Sequence, residues 1–140
     1  MKIKTLAVST TAFLHLKGPD GVHLYENGAP IGIDLYSPGS REAAQVEERA
    51  SGRTTKRMGD NDNKFTLPPV DVARKEVAED LTILTAGFHH IDYDGTDGKP
   101  LTGTALSMAV YSDPELGWIK EQALKFQRDW GKFTPSSIAA

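Results

Sequence analysis

Three aspartates near residue 95 have the composition of a cation-binding loop but not its spacing. They are Asp92, Asp94 and Asp97. A calcium loop of the helix–loop–helix type needs glycine at its sixth position and glutamate at its twelfth. Counting from Asp92 places Asp97 at the sixth position and Gly103 at the twelfth. The spacing therefore predicts a solvated turn and no calcium site.

The histidines and the usual catalytic motifs give no better indication of chemistry. His89 and His90 are adjacent, so a helix cannot bring both rings to one face as a zinc pair requires. The chain has no cysteine, which excludes disulfide and thiol chemistry. Its sequence contains no serine nucleophile elbow, glycine-rich phosphate loop or dinucleotide fingerprint. We therefore expect a protein that is not an enzyme and has no metal or cofactor.

Composition and charge fit a single globular domain spanning residues 1–140. The chain is 39% hydrophobic and 25% charged, with a formal net charge of −3. This charge gives no reason to expect binding to nucleic acid or to an anionic membrane. Polar residues interrupt the N-terminal apolar stretch, and no apolar run approaches the roughly 20 residues of a membrane span. We expect a soluble protein in the cytoplasm of the cell that makes it.

Alternating apolar residues between Thr11 and Tyr36 predict β-strands. Asp20-Gly21 and Asn27-Gly28 separate the runs and suit hairpin turns. The alternating residues are Ala12, Leu14, Leu16, Val22, Leu24, Ile31, Ile33 and Leu35. The pattern predicts a three-stranded antiparallel β-meander with one apolar face, and such a small sheet needs a helix packed on that face.

A charged helix and a linker are predicted to follow the meander. Ser37 is the predicted cap, with Pro38 in the first turn and the helix continuing to about Met58. Its many charges indicate a solvated helix face rather than a nucleic-acid patch. Residues 11–58 thus form the meander plus charged helix, and the polar, proline-ended residues 59–69 form a flexible linker.

The remainder, residues 70–133, is predicted to be a helical subdomain, before a disordered tail at residues 134–140. One apolar stripe runs from Val70 to Phe88 at helical spacing, and a second runs from Leu116 to Trp130. The second helix is predicted to start at a cap formed by Ser112 or Asp113 and to end at Gly131. With a short helix near residues 102–111, the fold class is α+β: a meander followed by about four α-helices.

The two apolar stripes exceed what a three-stranded sheet can cover, and surplus apolar surface on a soluble protein indicates a partner. Trp118 is the strongest candidate, because it lies one position off its stripe. Each candidate could instead belong to the ordinary core. The residues predicted to line a partner-binding groove are Phe88, Met108, Tyr111, Leu116, Trp118, Phe126 and Trp130.

Three segments together resemble the tail assembly chaperones of long-tailed, siphovirus-type bacteriophages. The first, Gly28–Ser40, is an isoleucine-containing strand that leads into a helix cap, and the second is the charged helix Arg41–Arg57. The third joins LTAGFHHIDYDGTDGKPLT to YSDPELGWIKEQALKFQRDWGKF. The likeness covers roughly Phe13 to Phe133.

The resemblance implies a non-enzymatic role in tail morphogenesis. Such a chaperone binds the phage tape measure protein, keeps it soluble and helps to recruit subunits of the major tail tube protein. It works in the host cytoplasm, is absent from the mature virion and has a longer form made by ribosomal frameshifting. Association of the chaperone with copies of itself, as a homo-oligomer, is left open by the resemblance. The alternative is a virion structural protein of the tail or head–tail joint, which would be present in the particle.

Overall fold

The chain folds around a three-stranded antiparallel sheet in a computed structural model whose description covers residues 1–139. The strand order is β1-β4-β5, and β2 and β3 form a separate two-stranded hairpin. The strands are β1 (Thr11–His15), β2 (Tyr25–Glu26), β3 (Ala29–Pro30), β4 (Gly32–Tyr36) and β5 (Thr85–His89).

The sheet is antiparallel and three-stranded, but it is not the predicted meander. The first and last alternating runs pair directly, with Thr11 opposite Tyr36. The middle run folds back beside them, and Leu24 hydrogen-bonds to Leu16 and Ile31 instead of adding a full strand. The intervening residues form the β2–β3 hairpin, whose turn uses positive φ angles at Asn27-Gly28, as this dipeptide favours.

The third strand, β5, lies where the sequence predicted the end of a helix. The helix stops at Leu84, and the next residues run along β4 with Phe88 opposite Ile33. Thr85 has its hydroxyl bonded to the Leu81 carbonyl at 2.7 Å, which satisfies a carbonyl at the helix end. Helical spacing continues through Phe88 in sequence, so only the distant partner β4 decides in favour of a strand.

Within residues 1–139, five α-helices account for most of the remaining structure, where about four were predicted. Short 3₁₀ helices occupy Ile3–Leu6, Pro114–Leu116 and Trp130–Phe133. The segment predicted as a disordered tail contains an exposed short helix up to residue 139, and Ala140 lies outside the described residues. The helices are α1 (Arg41–Asp60), α2 (Val70–Leu84), α3 (Gly103–Ser112), α4 (Gly117–Gln127) and α5 (Pro135–Ala139).

The cap of α1 is Ser40 and not the predicted Ser37. Ser40 Oγ accepts a hydrogen bond from the Ala43 amide at 3.1 Å, as an N-cap does. Ser37 is still engaged in the sheet, because its amide donates to the Thr10 carbonyl at 2.8 Å. The helix can therefore begin only after the chain has left β4.

The C-terminal helix α4 is shorter at both ends than the sequence predicts. Of the two predicted caps, Asp113 is used, but it caps the 3₁₀ helix that precedes α4: its carboxylate accepts from the Glu115 amide at 2.9 Å. The α-helix itself begins at Gly117 without a side-chain cap. The regular helix ends at Gln127, before the predicted Gly131. Asp129 then caps a 3₁₀ turn, with its carboxylate 3.0 Å from the Gly131 amide. The last residues of the apolar stripe consequently leave the helical face.

One face of the sheet and three helices enclose the core. Alternation places the odd-numbered residues of β1 on the other, outer face. Helices α2, α3 and α4 cover the inner face, and Phe133 from the last 3₁₀ helix closes it with no exposed surface. The core side chains are Ala12, Leu14, Leu16, Ile33, Leu35, Ala78, Leu81, Val110, Tyr111, Ile119, Ala123 and Phe133.

Candidate protein-binding surfaces

Two of the predicted binding residues pack in the interior between β5 and α3. Tyr111 is 2% exposed, and its hydroxyl lies 2.6 Å from Thr85 Oγ1. Burial raises the pKa of Tyr111, and its hydrogen bond with Thr85 opposes part of that rise. The Phe88 ring packs against Tyr111 with centroids 5.7 Å apart. These two rings hold α3 on the sheet, and Tyr111 is out of a partner's reach in this structure.

The aromatic residues of α4 and the following turn differ in exposure. Phe126 is half-buried and meets Phe133 edge-on, with centroids 5.5 Å apart. Trp118 is also half-buried against the core, so the expectation of an exposed tryptophan fits Trp130 better. Trp130 is 55% exposed, and one edge of its indole rests over Gly39.

The predicted residues lie along different cavities and do not share a single groove. A cavity of about 660 Å³ between α2, α3 and α4 is lined by Met108 and Tyr111. A second, of about 670 Å³ between β1 and α4, is lined by Trp118 and Phe126. Leu116 lines a smaller one of about 240 Å³, together with Trp118. We call the first the helical groove and the second the edge groove.

The helical groove combines apolar and charged walls. Met108, from α3, is half-buried and lies beside the core. Asp71, Arg74, Lys120 and Glu121 contribute charges of both signs to the lining. An apolar surface with a mixed-charge rim can receive apolar side chains and orient their polar neighbours, as protein-binding sites commonly do.

An exposed apolar segment at residues 65–72, which was not predicted from the sequence, includes Asp71 of the groove lining. Phe65 and Leu67 are 71% and 77% exposed, and Val70 and Val72 follow on the first turn of α2. Residues 59–69 were predicted only as a polar linker. The signal that could have identified the segment is the recurrence of four large apolar residues in eight positions that have no buried face.

A ladder of ion pairs, which was also not predicted from the sequence, joins helices α1 and α2. Arg53 binds Asp80 through two hydrogen bonds, of 2.6 and 3.0 Å. The bond to Asp80 raises the pKa of Arg53 further, against the opposing effect of burial. The other pairs are Arg49 with Glu79 at 3.3 Å and Arg57 with Glu76.

Most of α1 is exposed, as a solvated helix face should be, but one side of it pairs with α2 through the ion-pair ladder. Its arginines recur at every fourth residue from Arg49 to Arg57, so they project from one side of the helix. The partners Glu76, Glu79 and Asp80 likewise share one side of α2. The matching periodicity of opposite charges in the two helices was the available signal.

All four histidines lie around the outer face of the sheet. His15 and His23 stack with ring centroids 4.3 Å apart, and His89 Nε2 lies 2.6 Å from an Asp34 carboxylate oxygen. His90 lies 3.8 Å from Glu26. Within residues 1–139, no three His, Asp or Glu side chains converge as a metal site would require. These histidines therefore line a polar, aromatic surface.

Comparison with known proteins identifies no relative: no family model, curated protein or solved structure matches the chain. None of the helices in residues 1–139 is long and apolar enough to cross a membrane.

Proposed function

We propose that this protein is a non-enzymatic tail assembly chaperone of a long-tailed bacteriophage. It binds the tape measure protein in the host cytoplasm, helps to recruit the major tail tube protein and is left out of the finished virion. The proposal rests on the resemblance of the three segments described above. The observation that carries it is the helical groove, which opens beside the exposed apolar segment of residues 65–72.

The helical groove suits an amphipathic helix better than a small polar ligand. A helix laid in a groove contributes apolar side chains at every third or fourth position, and charged residues on its flanks meet the rim. Met108 offers an adaptable apolar contact, since methionine can repack around different partners. The rim carries charges of both signs in equal number, which suits flanks of mixed charge; these residues are Arg74, Lys75, Lys120, Asp71, Asp113 and Glu121. Val70 and Val72 are exposed on either side of Asp71 in the sequence, and Asp71 lines the groove.

A charge placed on the exposed apolar segment tests the proposal. Val72 is 40% exposed, so Val72→Asp should leave folding nearly intact. We expect it to weaken binding of a helical tape measure fragment about thirtyfold, which corresponds to about 2 kcal/mol. The measurement is titration of labelled fragments that tile the tape measure protein, with melting curves of both proteins beside it.

The matched control is Leu6→Asp, which makes the same apolar-to-acidic change at a side chain that is 60% exposed outside the helical groove. It should bind fragments as the wild type does. Equal weakening by both variants would indicate a general charge effect and count against the groove. If well-folded wild-type protein binds no fragment, the chaperone proposal fails.

The alternative, a structural protein of the tail or head–tail joint, makes a different prediction about the particle. Mass spectrometry of purified virions should find the major tail tube protein and lack this chain. Stoichiometric presence of the chain in purified virions would favour the structural role.

A further inference from the structure

The outer edge of β1 has a hydrogen-bonding register that can be assigned residue by residue. The Thr10 carbonyl accepts from the Ser37 amide at 2.8 Å, and the Leu16 amide donates to the Ile31 carbonyl at 3.0 Å. Alternate residues of an antiparallel edge strand bond to its neighbour, and the residues between them direct their N–H and C=O groups outward. Even-numbered residues of β1 therefore face β4.

The odd-numbered residues of β1 carry the outward-facing groups. Thr11, Phe13 and His15 direct their amides and carbonyls away from β4, and within residues 1–139 no other strand pairs with this edge. Phe13 is 37% exposed, and the other two are partly exposed. Three residues thus offer alternating donors and acceptors in a row, which is the template that an added strand uses.

Both ends of this row are closed by bonds from the C-terminal part of the chain. The Ser9 amide donates to the Phe133 carbonyl at 2.8 Å. At the other end, the side-chain amide of Gln122 accepts from the Lys17 amide at 2.9 Å and donates to the Lys17 carbonyl at 2.7 Å. The Gln122 amide therefore pairs with Lys17 as a neighbouring strand would, and the open row between the two closures has a defined length.

The edge groove adjoins the open row at its His15 end, where Leu14, His15 and Lys17 line it together with residues of α4. Its volume of about 670 Å³ is within the range of ligand sites. Trp118 and Phe126 supply aromatic surface on the α4 side. Three lysines and two acidic residues line it, which gives a formal excess of one positive charge, with two histidines in addition. These charged residues are Lys17, Lys125, Lys132, Glu121 and Asp129.

We propose that the outer edge of β1 binds an extended peptide segment of a partner protein as an added strand. Side chains on one face of that segment enter the edge groove, where an apolar residue contacts Trp118 and Phe126. An acidic residue two positions along the segment, on the same face, lies near Lys125 and Lys132. The inference goes beyond the proposed function, because it uses a different groove, a strand instead of a helix, and main-chain hydrogen bonds.

A single extended chain fits this edge better than a second copy of the protein does. Helix α4 flanks the edge through Gln122, and the 3₁₀ turn flanks it through Phe133. A symmetric partner pairing through its own β1 would bring a second set of these flanking elements into the same space. Edge-to-edge pairing of two copies is therefore obstructed, whereas a peptide carries no such elements.

The test uses an acetylated and amidated six-residue peptide of sequence TVTETV, which has high strand propensity, fits the open row and places its valines and glutamate on one face. In ¹⁵N-labelled full-length protein, the amides of Thr11, Phe13 and His15 should exchange with solvent at least tenfold more slowly when the peptide is bound. The amides of Ala12 and Leu14, already bonded to β4, should change little.

Two matched peptides separate strand addition from side-chain docking. Each is N-methylated at alternate residues, one at the odd positions and the other at the even ones, so that side chains are kept while half of the amides are blocked. We expect one of them to lose at least tenfold in affinity and the other to bind like the parent, because only one set faces β1. Equal binding of all three peptides would overturn the proposal.

Protein variants test the same edge from the other side. Thr11→Pro removes an outward amide without removing a bond to β4, which an edge strand tolerates. It should weaken peptide binding at least fivefold. Lys125→Glu with Lys132→Glu should do the same without touching the backbone, and decides the matter if the proline variant misfolds.

Three results would contradict the proposal. These are unchanged amide exchange at the β1 edge up to millimolar peptide, wild-type affinity in the lysine double variant, and protection at Thr11, Phe13 and His15 that rises with protein concentration in the absence of peptide. The last would identify a second copy as the occupant.

Discussion

The sheet with its covering helices and the arm formed by α1 are held by different forces. In the sheet region, Ile33, Leu35 and Leu81 have no exposed surface. In α1, which has 20 residues, Ala43 is the one buried residue. The outer half of α1 is held against α2 by the ion-pair ladder instead. Apolar burial thus fixes the sheet region, and charge pairing fixes the arm.

This difference implies that the two regions respond differently to solution conditions. Burial of apolar surface depends little on ionic strength, whereas pairs of partly exposed charges are screened by salt. Regions with few buried apolar contacts also open at lower free energy than the core. We therefore expect salt to loosen α1 before it affects the sheet. The following changes test this contrast, beginning with the largest effect.

Removing the Phe133 ring should cause the largest loss. Phe133 has no exposed surface and packs edge-on against Phe126. Phe133→Ala should lower the free energy of unfolding by about 3–5 kcal/mol, the usual range for an aromatic core site. Denaturant unfolding measures it, with Phe126→Ala as a milder comparison because that side chain is only half-buried. A loss below about 1 kcal/mol would place Phe133 outside the cooperative core.

Breaking the central pair of the ladder should have an intermediate effect. The side chains of Arg53 and Asp80 are 18% and 21% exposed, between the limits of buried and surface pairs. We expect Arg53→Met to cost about 1–3 kcal/mol, because Asp80 loses its two hydrogen bonds. A double-mutant cycle with Asp80→Asn, repeated at low and high salt, measures the coupling.

The exposed Arg41–Glu42 pair is the control for the ladder. Its atoms are 3.9 Å apart, and the Arg41 side chain is 94% exposed, so Arg41→Met should change stability little. Coupling between Arg53 and Asp80 that is absent, or that does not fall with salt, would remove the proposed distinction between the arm and the sheet region.

The smallest effect on stability should come from the exposed apolar segment. Phe65 is 71% exposed, so Phe65→Ser should change the free energy of unfolding by less than about 0.5 kcal/mol. It should nevertheless reduce binding of a hydrophobic dye, because it removes exposed apolar surface. A large loss of stability would mean that Phe65 packs in the fold, and unchanged dye binding would mean that other surface binds the dye.

The sequence predicted those parts of the sheet that depend on local pattern. Alternation of Ala12 and Leu14, and of Ile33 and Leu35, identified two strands and their buried faces. The third strand could not be predicted in this way, because Leu81, Leu84 and Phe88 continue a helical spacing. Residues 85–89 become a strand because they pair with the edge of β4, which is far away in sequence and would be open without them.

The candidate site was predictable only as a set of apolar residues. Periodicity selected Tyr111, Trp118 and Trp130 alike, yet the first is core, the second is half-buried and the third is exposed. Which side of a helix meets its neighbour depends on packing that periodicity does not encode. The ion-pair ladder was not predicted, because complementary charges on two helices become informative only when the two helices are considered together.

The central position of β4 has a consequence for synthesis on the ribosome. β4 emerges early, but its second neighbour β5 follows only after α1 and α2, and Gln122 reaches Lys17 across 105 residues. Until then a nascent chain carries a two-stranded hairpin with open edges and an uncovered apolar face, which is marginal alone and prone to association. High contact order slows folding. Slower translation over the last third of the message would prolong this vulnerable interval and lower the yield of native protein.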